Sequence, residues 1–215
     1  MYEVIPGILE QNWGAIEKKI ELVKPFAKAI HIDLLDGKFA QNTTLLDPTP
    51  FKKYSSDILF ELHMMVEEPI QYLKPWADAG FKRFIGHIEK MSDQAEFVAQ
   101  AQLLGEVGLA LDGPTAGDAM EVPIDDLDAL LIMTIKAGFS GQSFQPGHLQ
   151  KVKPFREKMQ SIGDNEFPIE VDGGVNDQTI VIAKEAGVNR FVTTSFLFKG
   201  ENPQEQYHIL QDLVA

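Results

Sequence analysis

The sequence predicts a (β/α)8 TIM barrel. Short apolar or β-branched runs recur along the whole chain, and stretches with helical spacing separate many of them. The 215 residues suit a single compact barrel, near the low end of the usual ~200–400-residue range of that architecture.

The first run, Val4–Leu9, is followed by a helical pattern over Trp13–Val23. The second, Ala29–Leu35, and the third, Ile58–Val66, come next, with helical spacing over Ile70–Ala79. The fourth, Phe84–Ile88, precedes a helix expected at Asp93–Leu104, and the fifth is Val107–Leu111. The sixth, Ala129–Ile135, leads to Leu149–Gln160, the seventh, Pro168–Val171, to Asp177–Glu185, and the eighth is Arg190–Thr193. Strands alternating with helical patterns indicate βαβ units and a parallel sheet. A doubly wound sheet is the alternative, and it usually has fewer strands. Gly80, Gly108 and Gly187 are expected where a helix hands over to the next strand, the C-cap position that glycine favours. No linker, low-complexity tract or composition break divides the chain, so residues 1–215 are read as one domain.

Composition narrows the function. The chain has no cysteine, which excludes disulfides, thiolate metal ligands and thiol nucleophiles. Any metal must be held by His, Asp or Glu. The formal net charge is -13 with no Lys/Arg block, which argues against nucleic-acid and anionic-membrane surfaces. The first twenty residues lack the apolar core of a signal peptide, and no apolar run approaches the ~20 residues that span a bilayer. A cytoplasmic protein is expected. A phosphorylated substrate would be repelled by the global field, so it would need backbone amides, helix N-termini or a metal.

Active sites of such barrels lie at the C-terminal ends of the strands. The second strand ends in His31-Ile32-Asp33, and residues i and i+2 of a strand share a face. His31 and Asp33 therefore project together into the barrel. The third strand ends in Glu61-Leu62-His63-Met64-Met65, and the seventh in Glu170-Val171-Asp172-Gly173-Gly174. Any one of these polar residues alone is read as a strand cap. Together, His31, Asp33, His63 and Asp172 form a four-ligand N/O set suited to one divalent ion, with Zn, Fe(II), Mn and Co all open.

Loops of small residues follow the sixth, seventh and eighth strands, the first two bearing glycines: Gly138-Phe139-Ser140-Gly141, Gly173-Gly174 and Thr193-Thr194-Ser195. The last two loops form the usual phosphate site of this architecture, where backbone amides bind the anion without a lysine. Met65 and Met133 are expected as apolar pocket walls. His148 and His208 fall in helical stretches and are read as exposed. His87 points towards the mouth and is left open between support of the site and core packing. No GxxxxGK[ST], GxGxxG or GxSxG element is present, so nucleotide-binding and serine-hydrolase readings lack support.

These residues resemble the ribulose-phosphate 3-epimerase family. The match runs through Ile5-Pro6-Gly7-Ile8-Leu9, HIDLLDG at 31–37, Asn42, LHMMVEEP at 62–69, GHIE at 86–89, MTIKAGFSGQSF at 133–144 and EVDGGV at 170–175. The resemblance implies a barrel of the ribulose-phosphate-binding type, working in the pentose phosphate pathway as a homo-oligomer. It implies that His31, Asp33, His63 and Asp172 bind the catalytic divalent metal and that Asp33 and Asp172 are the acid–base pair. The loops at Gly138–Gly141 and Gly173–Gly174, with Thr194 and Ser195, would hold the phosphate of a small phosphorylated ketose.

Four positions depart from the family pattern. Gly7 stands where the family usually has a substrate-contacting serine, Ser140 and Thr194 replace glycines, and Leu35 replaces a methionine as apolar wall. Gly7 is expected to leave extra room and to weaken binding of a five-carbon sugar. Ser140 and Thr194 fit only if their φ values are not glycine-like. The leading expectation is epimerisation of D-ribulose 5-phosphate to D-xylulose 5-phosphate. Alternatives are an epimerase of a related ketose phosphate, such as a hexulose 6-phosphate, and a non-catalytic phosphosugar-binding barrel. Barrel decarboxylases and aldol-type synthases use an Asp-x-Lys-x-x-Asp element, whereas this chain has Asp33-Leu34-Leu35-Asp36 without the lysine.

Overall fold

A computed structural model describes residues 2–215. Eight parallel strands close into a barrel in sequence order. They are β1 (Glu3–Ile8), β2 (Ala29–Leu35), β3 (Leu59–Met65), β4 (Arg83–His87), β5 (Glu106–Leu111), β6 (Ala129–Met133), β7 (Ile169–Asp172) and β8 (Arg190–Thr193). The helices are α1 (Trp13–Val23), α2 (Ile70–Asp78), α3 (Gln94–Gln102), α4 (Val152–Ser161), α5 (Thr179–Glu185), α6 (Ser195–Lys199) and α7 (Pro203–Val214). The chain is thus a (β/α)8 barrel, with 3-10 turns in place of α-helices after β2 and β5.

Alternation along each strand builds two cores. Ile30, Ile32 and Leu34 of β2, with Phe60, Leu62 and Met64 of β3, face outward into the large core beneath the helices. His31, Asp33 and Leu35, with Glu61, His63 and Met65, face the barrel axis, as period-two geometry requires. Both faces of the strands are buried, the usual state of a parallel sheet. On the helical side, Ile16, Ile20 and Val23 give α1 one buried stripe, and Asn12 caps it by accepting from the Ala15 N–H. Asp93 and Asn202 cap α3 and α7 in the same way, each cap contributing about 1 kcal/mol.

Two readings of the sequence are corrected. Gly108 lies inside β5, not at a helix end, and a Cβ there would stand 3.0 Å from the Ala129 carbonyl oxygen. Gly80 and Gly187 do sit at helix ends with φ of 103° and 102°. His148 is half-buried in a 3-10 turn, its Nδ1 3.0 Å from the Met133 carbonyl oxygen, so it ties that turn to the end of β6. His208 is exposed on α7. Among the described residues no helix is long and apolar enough to cross a membrane.

Candidate metal centre and active site

Register brings the ligand set together. Asp33 of β2 pairs with His63 of β3, and Gly7, His31 and Glu61 run side by side one pleat lower. Asp172 reaches the same point from the end of β7, where the Thr134 hydroxyl lies 2.6 Å from the Gly173 carbonyl oxygen and holds the turn. One ligand atom each from His31, Asp33, His63 and Asp172 lies within 4.8 Å of the others. His31 Nε2 is 3.3 Å from Asp33 Oδ1, and His63 Nδ1 is 3.0 Å from Asp33 Oδ1 and 3.5 Å from Asp172 Oδ2. Ligand atoms around a tetrahedral ion with bonds of ~2.0–2.1 Å stand roughly 3.3 Å apart. These three separations, and the chemistry of the donors, fit a small divalent ion.

A second observation favours the fit. His31 Nε2 is buried and has no hydrogen-bond partner, while Nδ1 lies 2.6 Å from Glu61 Oε1. With Nδ1–H donated to Glu61, the lone pair of Nε2 faces the other three ligands. Such an outer carboxylate is the usual device for fixing a metal-binding imidazole. Glu61 is itself balanced by Arg83, whose Nη1 is 2.8 Å from its Oε2. His63 is held from behind by a relay: its Nε2 is 2.9 Å from His87 Nε2, and His87 Nδ1 is 2.9 Å from Glu89 Oε2. The Phe39 ring covers His87 at 4.6 Å. His87 thus supports the site, which its position in the sequence left undecided.

Glu61 and Glu170 are buried acids that the motifs do not single out. The signal was there: each stands two residues before a ligand, His63 and Asp172, on the same inward face. Glu170 is fully buried beneath the ligands, and neither of its oxygens has a hydrogen-bond partner.

Without a metal the site holds extra protons. Burial and the Asp33 charge push the Asp172 carboxyl up to about 7, and burial and Glu61 do the same to Glu170. Burial opposes charge on His31 too, but Asp33, Glu170 and Glu61 outweigh it and raise its pKa well above the ordinary value. On Asp33, burial is outweighed by His31 and His63, which lower it to about 2. Burial lowers His63.

A pH dependence follows. Asp172 and Glu170 keep protons between about pH 4 and 7 that the unfolded chain has released, and His31 does so above about pH 6.5. Metal-free stability contributed by these groups is lost as pH rises through those ranges. His63 acts oppositely, but only below about pH 6.5. A divalent ion must displace the same protons. The rise in Tm on adding saturating metal is therefore expected to be larger at pH 8 than at pH 6. Calorimetry on chelator-treated protein with and without metal checks this, and an equal rise at both pH values would contradict it.

Above this cluster opens a cleft with Asp33 and Asp172 in its lining. Met65 and Met133 form its apolar wall with Leu9 and Ile135, and Leu35 is buried in the same cluster. The rim carries Gly138, Phe139, Ser140, Gly173, Gly174, Thr194 and Ser195. Gly141 lies in an adjoining hollow that shares Gly174 and Ser195 with the cleft. Gly173 and Gly174 have φ of 114° and 71°, and Cβ atoms there would stand 2.3 Å from Ile135 and 2.8 Å from the Phe144 backbone. Glycine at both positions lets the loops after β6 and β7 close on one another. The Lys199 ammonium lies against Gly141, 3.2 Å from where a Cβ would be. It brings a positive charge to the edge of the glycine loops.

The departures from the family pattern resolve physically. Neither Ser140 nor Thr194 has positive φ, so neither loop is strained by its side chain. Gly7 leaves no extra room: a Cβ there would stand 2.4 Å from Thr194 Oγ1. Gly7 itself is not in the cleft lining, whereas Thr194 is.

Comparison with known proteins shows the family. A sequence profile described as the ribulose-phosphate 3 epimerase family matches residues 3–198. The chain belongs to the ribulose-phosphate 3-epimerase family. It is 34% identical over 202 residues to the ribulose-phosphate 3-epimerase of Bacillus subtilis (strain 168), covering 92% of this chain and 93% of the relative. It is 31% identical over 210 residues to that of Schizosaccharomyces pombe, covering 94% and 90%. Membership makes it an isomerase-class enzyme, an epimerase. Solved structures at lower identity share the fold alone. They include KGPDC from Streptococcus mutans, at TM-score 0.72, 11% identity and coverage of 100% and 97%. Another is a 3-hexulose-6-phosphate synthase, at TM-score 0.69, 17% identity and coverage of 99% and 100%.

Proposed function

We propose that this chain interconverts D-ribulose 5-phosphate and D-xylulose 5-phosphate by proton transfer between two carboxyl groups, with one divalent metal held by His31, Asp33, His63 and Asp172. The observation that carries the reading is that Asp33 and Asp172 belong both to the ligand cluster and to the lining of the cleft.

Inverting a carbon α to a carbonyl requires a proton to leave one face and another to arrive on the opposite face. A single base tends to restore the original centre, so two groups are needed. Asp33 and Asp172 stand on strands separated by β1 and β8, which supports delivery from two sides. One carboxyl removes the C3 proton, leaving an enediolate, and the other returns a proton to the far face; in the reverse reaction their roles exchange. A bound divalent ion supplies Lewis-acid stabilisation of the negative charge developing on the carbonyl and hydroxyl oxygens. Met65, Met133 and Ile135 exclude water around the reacting carbon, which strengthens those electrostatic interactions. The phosphate is placed among Gly138–Gly141, Gly173, Gly174, Thr194 and Ser195, with Lys199 at the edge. A homo-oligomer working in the cytoplasm belongs to the same reading.

Purified chain, loaded separately with Zn, Mn, Fe(II) or Co, would be given pentulose 5-phosphates and hexulose 6-phosphates and the products identified by NMR. Xylulose 5-phosphate from ribulose 5-phosphate is the expected product. Preferential inversion of a hexulose 6-phosphate would reassign the substrate, and binding without turnover under any metal would favour a non-catalytic barrel.

A further inference from the structure

Thr194 occupies the N-cap position of α6, where a threonine ordinarily accepts a hydrogen bond from a backbone N–H. It makes no such bond. No other protein group among the described residues bonds its hydroxyl. The side chain instead lies over Gly7: a Cβ at residue 7 would stand 2.4 Å from Thr194 Oγ1 and 2.8 Å from Val192 Cγ1. Those separations are far inside van der Waals contact, so residue 7 and residue 194 compete for one volume. Gly7 pairs in register with His31, so the Thr194 hydroxyl, on a residue whose backbone belongs to the loops proposed for the phosphate, lies on their metal-ligand side. Thr194 is half-buried and lines the cleft with Asp33 and Asp172, and its φ of -114° carries no strain.

We infer that Thr194 is a specificity-determining residue that hydrogen-bonds a sugar oxygen next to the reacting carbon, and that Gly7 is glycine because the Thr194 side chain needs the space above it. The substrate half of this inference rests on the epimerase reading. The shared volume does not. Position 7 on β1 and position 194 after β8 act as one exchangeable pair in which only one member carries a side chain. The Thr194 hydroxyl then occupies the space that a side chain on residue 7 would take. An uncapped, unbonded hydroxyl in a half-buried cleft has unused hydrogen-bonding capacity, and a polyhydroxylated substrate is the partner that would satisfy it.

The test combines a stability cycle with kinetics. Gly7→Ala alone is expected to lower Tm by roughly 3–10 °C, as overpacking does in a domain of this size. In a Thr194→Gly background the same change is expected to cost less, because the nearer of the two colliding groups has gone and only the Val192 Cγ1 contact remains. Additive Tm changes would overturn the shared volume. Thr194→Val keeps the volume and removes the hydroxyl, so Tm should stay near the native value. Its KM for ribulose 5-phosphate is expected to rise about tenfold, with a smaller change in kcat. The double variant Gly7→Ser/Thr194→Gly is expected to recover KM towards the native value, whereas Thr194→Gly alone is not. Native KM in Thr194→Val, with the wild-type protein active, would overturn the substrate contact and leave the epimerase reading standing. If the wild-type protein inverts no ketose phosphate, that reading and the contact fall together, and the Tm cycle still decides the shared volume.

Discussion

Asp172→Asn and Asp33→Asn are each expected to lower kcat for ribulose 5-phosphate by on the order of 10²–10⁴-fold, the usual worth of a positioned acid–base group. That range corresponds to roughly 3–5 kcal/mol of transition-state stabilisation. Asparagine keeps an oxygen in the ligand cluster but cannot carry the proton, so KM should change far less than kcat. Elemental analysis of each variant separates proton transfer from metal loss. A metal-loaded Asn variant retaining turnover within tenfold of the native protein would remove that aspartate from the acid–base pair.

Stripping the metal is expected to reduce turnover to background, and adding back Zn, Mn, Fe(II) or Co to restore it to differing extents. The spacing of 3.0–3.5 Å among the ligand atoms and the unpartnered Nε2 of His31 describe a pre-arranged site, so binding should stabilise the fold as well. At a free metal concentration 100 times Kd the gain is ~2.7 kcal/mol, or roughly 5–11 °C in Tm for a domain of this size. Undiminished activity in protein shown by elemental analysis to be metal-free would refute the assignment. The Tm shift, being independent of turnover, tests ion binding even if the substrate is another ketose phosphate.

The barrel was legible because strands buried on both faces leave long apolar runs, and the order of those runs matches β1 to β8. The cluster of His31, Asp33, His63 and Asp172 was legible for a related reason: a His or Asp inside such a run, at the carboxyl end of a strand, is conspicuous against its neighbours. What the sequence could not convey were partners on neighbouring strands. His87 reaches His63 from the adjacent strand, and Glu61 meets His31 from residues thirty positions apart; nothing local in either segment names the other. Gly7 and Thr194 show the same limit. In sequence they are separate departures, one expected to make room and one to depend on its φ, and only the fold puts the second side chain in the space above the first. His148 was misread because a polar residue among exposed ones is usually solvated, whereas this one meets the carbonyl at the end of β6. Gly108 was misread because a glycine between a helix and a strand usually ends the helix, and here the strand begins two residues earlier.

The central claim is that inversion proceeds by removing a proton from one face and supplying another on the opposite face. It is tested most directly by running the metal-loaded native protein on ribulose 5-phosphate in heavy water and reading C3 of the product by NMR. The account predicts xylulose 5-phosphate carrying solvent-derived deuterium at C3. Formation of xylulose 5-phosphate with the original hydrogen fully retained at that carbon would contradict it.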